Sequence, residues 1–345
     1  MPRRIDPPAR LVRAGAAALT ILLISGCSSN PVDAPPPTID PAQAAASPPV
    51  TAAPAGVVRP LAGPAQAAVF DARTTSLAVL GTGDRPVVTV FSDTGAAAAT
   101  QLDSAATAMV GDGEGVLFLA TQGGYFRFDI ASGAVTRIAV QGMDGVDVTA
   151  IARRADGMLV LGSSDGAVFT LGSDTTVAAR LQIFARVDSI VTQGDTAVVL
   201  DRGQTSVTSL NTEGTKSEHA LRAGQGATTM AADNAGLVLV ADTRGGELLV
   251  YGLDPLILRQ RFPVPDAPYG LAGSDSRTGL AWVAQTASNT VVGYDLRTGI
   301  PVEKVRYPTV KQPNSLAFDD ASETLYVVSG SGAGVQVIAS AGIPQ

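Results

Sequence analysis

Two side chains in this 345-residue chain carry thiol or imidazole chemistry, one cysteine, Cys27, and one histidine, His219. A zinc site or a histidine-based triad needs several such groups converging, and the composition does not supply them. His219 lies in Ser217-Glu218-His219-Ala220, where an outer strand is expected, and reads as a surface residue. What remains is a set of carboxylates, amides and a phenol at equivalent places in a repeat: Asp188, Asp201, Asp242, Tyr269, Gln285 and Asn314. If those places converge, the six form a polar mouth suited to a polar ligand or a basic protein segment. If they do not, each is a turn former bonding its own backbone. No cofactor or metal is expected. Gly330-Ser331-Gly332-Ala333-Gly334 precedes no helix that could cradle phosphate, and Asp112-Gly113-Glu114-Gly115 and Asp319-Asp320 lack the spacing of an EF-hand calcium loop.

The elements that must position these residues recur about every 40 residues. Short apolar segments centred on Val69, Met109, Ile151, Ile190, Met230, Leu271 and Leu316 are each followed, after a turn rich in Gly, Asp, Asn or Ser, by a second apolar strand such as Leu237-Val238-Leu239-Val240. A polar turn and two further strands complete the unit, as in Thr290 to Asp295 and then Val302 to Tyr307. Four short strands per repeat and seven repeats predict an all-β fold, a seven-bladed β-propeller of four-stranded antiparallel blades over residues 56–345. After Val335-Gln336-Val337-Ile338 the chain ends too soon for a fourth strand. The segment Gly56 to Leu61 is therefore expected to supply it and close the ring, which removes an open sheet edge. In this arrangement the loops entering the inner strands carry Asp188, Tyr269 and Asn314, and the ends of the second strands carry Asp201, Asp242 and Gln285.

Ahead of the repeats stand Arg3, Arg4, Arg10 and Arg13, the apolar run Ala14 to Ile24, and then Ser25-Gly26-Cys27. That run is too short for a permanent span of about 20 residues and has the layout of an export signal. Residues 1–26 are expected to be a signal peptide. Residues 27–55, rich in Pro, Ala, Ser and Thr, are expected to be a disordered tether, because such a segment buries too little apolar surface to offset the entropy of ordering. Removing 1–26 takes away four arginines and Asp6, so the formal charge of −7 becomes −10. That acidity argues against a nucleic-acid partner.

Ile24-Ser25-Gly26-Cys27 resembles the lipobox of bacterial lipoproteins, which implies cleavage before Cys27 and a diacylglycerol on its thiol. The units Ala281 to Gly299 and Leu325 to Ile338 resemble the YVTN-type propeller repeat of the YncE-like proteins. Lipobox, tether and propeller together resemble the LppL group of mycobacterial lipoproteins. The resemblance implies a protein anchored on the extracytoplasmic face of the cell membrane, and the tether, the acidity and the lack of a catalytic constellation point to a monomeric binding or scaffold module for an envelope protein or polar ligand. Related propellers also host lactonase- or other hydrolase-like activities, so carboxylates in the funnel keep an enzyme as the alternative.

Overall fold

The computed structural model describes residue 1 and residues 37–95, 97–273 and 278–342. The expected signal peptide and Cys27 lie outside the described residues, as does the tether up to residue 36.

Among the described residues, twenty-eight strands form seven four-stranded antiparallel sheets. Blades 1 to 6 occupy residues 65–101, 109–139, 148–182, 189–222, 227–263 and 268–308, each with its strands in chain order. Blade 7 takes three strands from residues 313–338, and its fourth is Val57–Arg59, paired antiparallel to Val335–Ile338 with Val57 opposite Val337. The expected closure of the ring is therefore what forms. Gly56 makes the approach possible: its φ is +70°, and a Cβ there would stand 2.1 Å from the Val337 carbonyl oxygen. Gln336, fully buried, locks the junction by donating to the carbonyls of Ala55 (2.8 Å) and Pro308 (3.0 Å) and accepting from the Val310 amide (3.0 Å).

The core is seven wedges between neighbouring blades, and the pleat of the second strand explains how one short strand serves two of them. In Leu237–Asp242, Val238 and Val240 pack into the wedge shared with blade 4, while Leu239 and Ala241 pack into the wedge shared with blade 6. Successive side chains point to opposite faces and both faces are covered, so the strand is apolar without alternation. Each such buried aliphatic contributes about 1.5–3 kcal/mol relative to an exposed one. In the wedge between blades 6 and 7, Trp282 lies stacked between Tyr307 (6.4 Å) and Phe318 (6.1 Å).

Composition predicted disorder through residue 55, and the structure corrects that boundary. Residues 37–55 form no regular element, yet they run as a strap over blades 4 to 7. Ile39 donates to the Gly203 carbonyl (2.7 Å) and Ala55 to that of Pro308 (3.1 Å). Arg202 donates to the Ala42 carbonyl, Arg244 to that of Asp40 (2.7 Å), Gln312 to that of Ala45 (2.9 Å) and Asn289 to that of Pro48 (2.9 Å). Ser47 is buried, donating its hydroxyl to the Thr286 carbonyl (2.5 Å) and its amide to Gln312 Oε1 (3.0 Å). The segment brings little apolar mass to drive ordering, chiefly the buried Ala42 and, against the wedge of blades 6 and 7, Ala55. An extended Pro/Ala chain does present unpaired carbonyls, and long polar side chains on the ring satisfy them.

Candidate functional site

The innermost strands surround an axial cavity of about 590 Å³. Its wall runs from Gln66, Thr107, Thr149 and Asp188, where the inner strands begin, to Arg153, Thr192 and Ala232, where they finish. Neighbouring blades are tied together around it by side-chain hydrogen bonds. Gln66 donates to the Ala106 carbonyl (2.6 Å), Thr107 to that of Val148 (2.7 Å), Thr149 to that of Val187, and Thr229 to that of Tyr269. These polar residues belong to the ring's own bonding.

Of the six candidates read from the sequence, the structure brings Asp188 and Tyr269 to the cavity wall. The Asp188 side chain is 5% exposed. Its Oδ1 accepts from Arg186 Nε (2.6 Å) and its Oδ2 from the Arg202 amide (2.8 Å). Burial pushes its pKa above the ordinary carboxylate value, opposed by the Arg202 amide and by the charges of Arg186 and Arg202. The Tyr269 hydroxyl has no hydrogen-bond partner among the described residues.

Asp201, Asp242 and Gln285 sit at the predicted turns of the mouth end but are fully buried and do not reach the cavity wall. Asp201 accepts from the amides of Ala185 (2.8 Å), Arg186 (3.2 Å) and Gln204 (2.9 Å). Asp242 accepts from those of Gln225 (2.8 Å), Gly226 (2.8 Å) and Gly245 (2.9 Å). Gln285 donates to the Pro265 carbonyl (2.7 Å) and accepts from Thr290 (2.8 Å) and Arg306 (2.6 Å). Thr121 and Ser329, at the same place in blades 2 and 7, donate to the carbonyls of Ala105 and Lys311, both at 2.6 Å. This position is a latch joining the turn after the second strand to the segment that enters the blade. Asn314 accepts from Gln312 (3.0 Å) and thereby steadies a residue that grips the strap.

The residue that sequence reasoning missed is Arg202. It lines the cavity, its amide orients Asp188, and its guanidinium holds the strap at Ala42. Its only sequence signal was its position directly after a latch aspartate. The charged side chains of the cavity wall are thus Arg153, Asp188 and Arg202. Among the described residues, no group of three or more His, Cys, Asp or Glu could hold a metal ion. His219 is exposed, at the edge of a separate recess of about 240 Å³ with Ser209 and Asp254. It faces Ser209 across the strand pair, but no hydrogen bond joins them and the Ser209 hydroxyl is unpartnered. That pair is no dyad.

Neither a protein-family model nor a curated protein sequence matches the chain. Solved structures match it closely in shape. A chain of "Crystal Structure of Mitotic Checkpoint Complex" superposes with a TM-score of 0.69 at 12% identity, covering 89% of this chain and 97% of that one. "Streptogramin B lyase structure" gives 0.68 at 10% identity, covering 83% and 96%. "Structure of U3-55K" gives 0.70 at 12% identity, covering 83% and 100%. At such identities the likeness is one of fold. The chain is a seven-bladed β-propeller.

Proposed function

We propose that this protein is a lipid-anchored binding module of the cell envelope, related to the YncE-like and LppL-type propeller lipoproteins, which takes a polar ligand or a protein segment at the mouth of its axial cavity. The observation that carries the reading is the mouth itself. Asp188 accepts the Arg202 amide, and Asp188, Arg202 and Tyr269 all line the one cavity, so both charge signs and a neutral phenol contribute to its wall. A preformed polar concavity of this size binds without reorganising its own backbone. The anchor rests on Ser25-Gly26-Cys27 after a basic, apolar leader, and two acyl chains suffice for stable attachment.

The test is site-specific photocrosslinking in intact cells from Tyr269, with Thr136 on the outer strand of blade 2 as the comparison. A partner trapped from position 269, absent from 136 and lost in Arg202→Gln supports the reading. Identical products from both positions would overturn it.

Asp188 supports the second reading, a hydrolase-like propeller, because a buried carboxyl with a raised pKa at a cavity mouth is placed for general acid–base work. Its two oxygens already accept from Arg186 and Arg202, an arrangement that serves to hold Arg202. The binding reading is the better fit.

A further inference from the structure

The recess of about 240 Å³ that carries His219 lies at the outer end of the wedge between blades 4 and 5. Blade 4 lines it with Thr196, Ser209, Glu218 and His219, and blade 5 with the turn Leu253-Asp254-Pro255-Leu256. Strand pairing fixes how the blade 4 residues face it. Val198, Ser209 and His219 are cross-strand partners in one row, and Val198 packs into the wedge shared with blade 5, so the row points that way. The register then shifts between Ser209 and Leu210, which makes Glu218 the extra residue of a β-bulge and brings it to the recess beside His219. Blade 5 fills the same place differently. Gln260, opposite Val250 as His219 is opposite Ser209, crosses to blade 6 and donates to the Leu296 carbonyl (2.8 Å). His219 makes no such bond to blade 5, and the space stays open.

The side chains of Thr196, Ser209, Glu218, His219 and Asp254 have no hydrogen-bond or ion-pair partner among the described residues. The decisive one is Ser209, 3% exposed with its hydroxyl orphaned. A buried hydroxyl is normally paired, and a ligand group in the recess would pair this one.

The wall carries two carboxylates, Glu218 and Asp254, and no cation. The cations nearest in sequence lie elsewhere. Arg222 sits opposite Ser206 and lines a groove on the other face of blade 4. Arg259 lies against Gly252, whose cross-strand partner Leu237 packs toward blade 6. Lys216 precedes the outer strand and does not line the recess. Among the described residues, no three His, Cys, Asp or Glu side chains are placed to hold a metal ion, so the complement of this wall is an organic cation. An ammonium donates three hydrogens and accepts none, and the wall offers carboxylates, two hydroxyls and an imidazole nitrogen. Leu253, Pro255 and Leu256 give an alkyl stem an apolar side to lie on. The volume falls below the roughly 300–1,000 Å³ of sites that enclose a whole drug-sized ligand, which suits a single aminoalkyl group.

The geometry points to a second binding site on this propeller, in which the recess between blades 4 and 5 takes a primary ammonium on an alkyl chain, the group shared by small amines and lysyl side chains. It is independent of the axial cavity and of the anchor.

The chain's single histidine is a reporter at the site itself. The full chain, isotope-labelled in the histidine ring, is titrated at neutral pH with butylammonium chloride while the one imidazole cross-peak is followed by NMR. A saturable shift is expected, with butanol and potassium chloride giving none. Glu218→Gln with Asp254→Asn is expected to weaken binding at least about fivefold. Ser209→Ala is expected to weaken it about threefold without lowering the unfolding temperature, because the hydroxyl bonds nothing in the free protein. Titration with acetyl-lysine methylamide separates the two sources: affinity equal to that of butylammonium assigns the recess to a lysyl side chain, and lower affinity assigns it to a small amine. No saturable shift, an equal shift with butanol, or undiminished affinity in the double carboxylate variant would overturn the inference.

Discussion

Replacing Asp242 by alanine separates a structural latch from a recognition residue. In the folded protein the carboxylate is fully buried and receives three amides, from Gln225, Gly226 and Gly245. The turn is shaped around it, since a Cβ at Gly224 or Gly245 would stand 1.9 or 2.1 Å from Oδ2. Alanine leaves the three donors without their acceptor. A buried orphan costs about 1–3 kcal/mol. The Gly226 bond is buried, while the Gln225 and Gly245 bonds are partly buried and regain some hydration, which gives a loss of about 3–5 kcal/mol in all. Asp112→Ala is the internal comparison, because Asp112 accepts from Glu114 and Val116 in an exposed turn. Its loss should be about 1 kcal/mol or less. Urea unfolding followed by circular dichroism, with the slope held common, reads both. If Asp242→Ala is no more destabilising than Asp112→Ala, the latch reasoning is wrong and the residue is free for recognition.

Gln312→Ala removes two of the strap's hydrogen bonds, to Ser47 and Ala45, so protease cleavage within 38–48 should accelerate while the ring stays folded; unchanged cleavage would mean the strap is held elsewhere. Deleting residues 56–62 takes away the fourth strand of blade 7 and should destabilise the entire ring in thermal unfolding; an unchanged melting temperature would contradict closure by this strand. Asp188 has a folded pKa above its unfolded one, so its stabilisation is complete below the ordinary carboxylate value and is lost as pH rises through the raised value. Asp188→Asn should therefore flatten the stability–pH curve on the alkaline side of 3.8; parallel curves for the two proteins would count against it. Cys27→Ser should release the protein from membranes on fractionation, and a variant that still sediments with them would contradict the anchor.

Period, strand pairing and closure were legible in the sequence because each follows from a local pattern. Runs such as Leu237 to Val240 mark strands covered on both faces, and the missing fourth strand at the end forced a search for one at Val57-Val58. The same periodicity misled at the site. Asp201, Asp242 and Gln285 recur because five of the seven blades carry a polar latch at that corner, Thr121 and Ser329 completing the five, and repetition reports what the fold uses in successive units. Asp188 and Tyr269 line the cavity together with their counterparts Ala67, Thr107, Thr149 and Thr228, so the position that enters each inner strand was a better guide to the cavity wall than the ends of the second strands. The strap was illegible for a physical reason: its order comes from Arg202, Arg244, Asn289 and Gln312, long side chains 160 to 267 residues away, and composition carries no trace of such partners.

The pairing of Val57–Arg59 with Val335–Ile338 also sets a timetable for the chain's maturation. The strand Val57–Arg59 cannot find its partner until residues 335–338 have been delivered, so six blades must assemble with one edge waiting. Gln336 reaches back 281 residues to Ala55, which makes ring closure the slow, high-contact-order event. Throughout that interval the waiting edge is open to the unfinished copies around it, and a hand-over of this strand between two chains would yield a swapped dimer with every blade intact. The same topology that completes blade 7 in the finished ring therefore makes its assembly sensitive to crowding by its own kind.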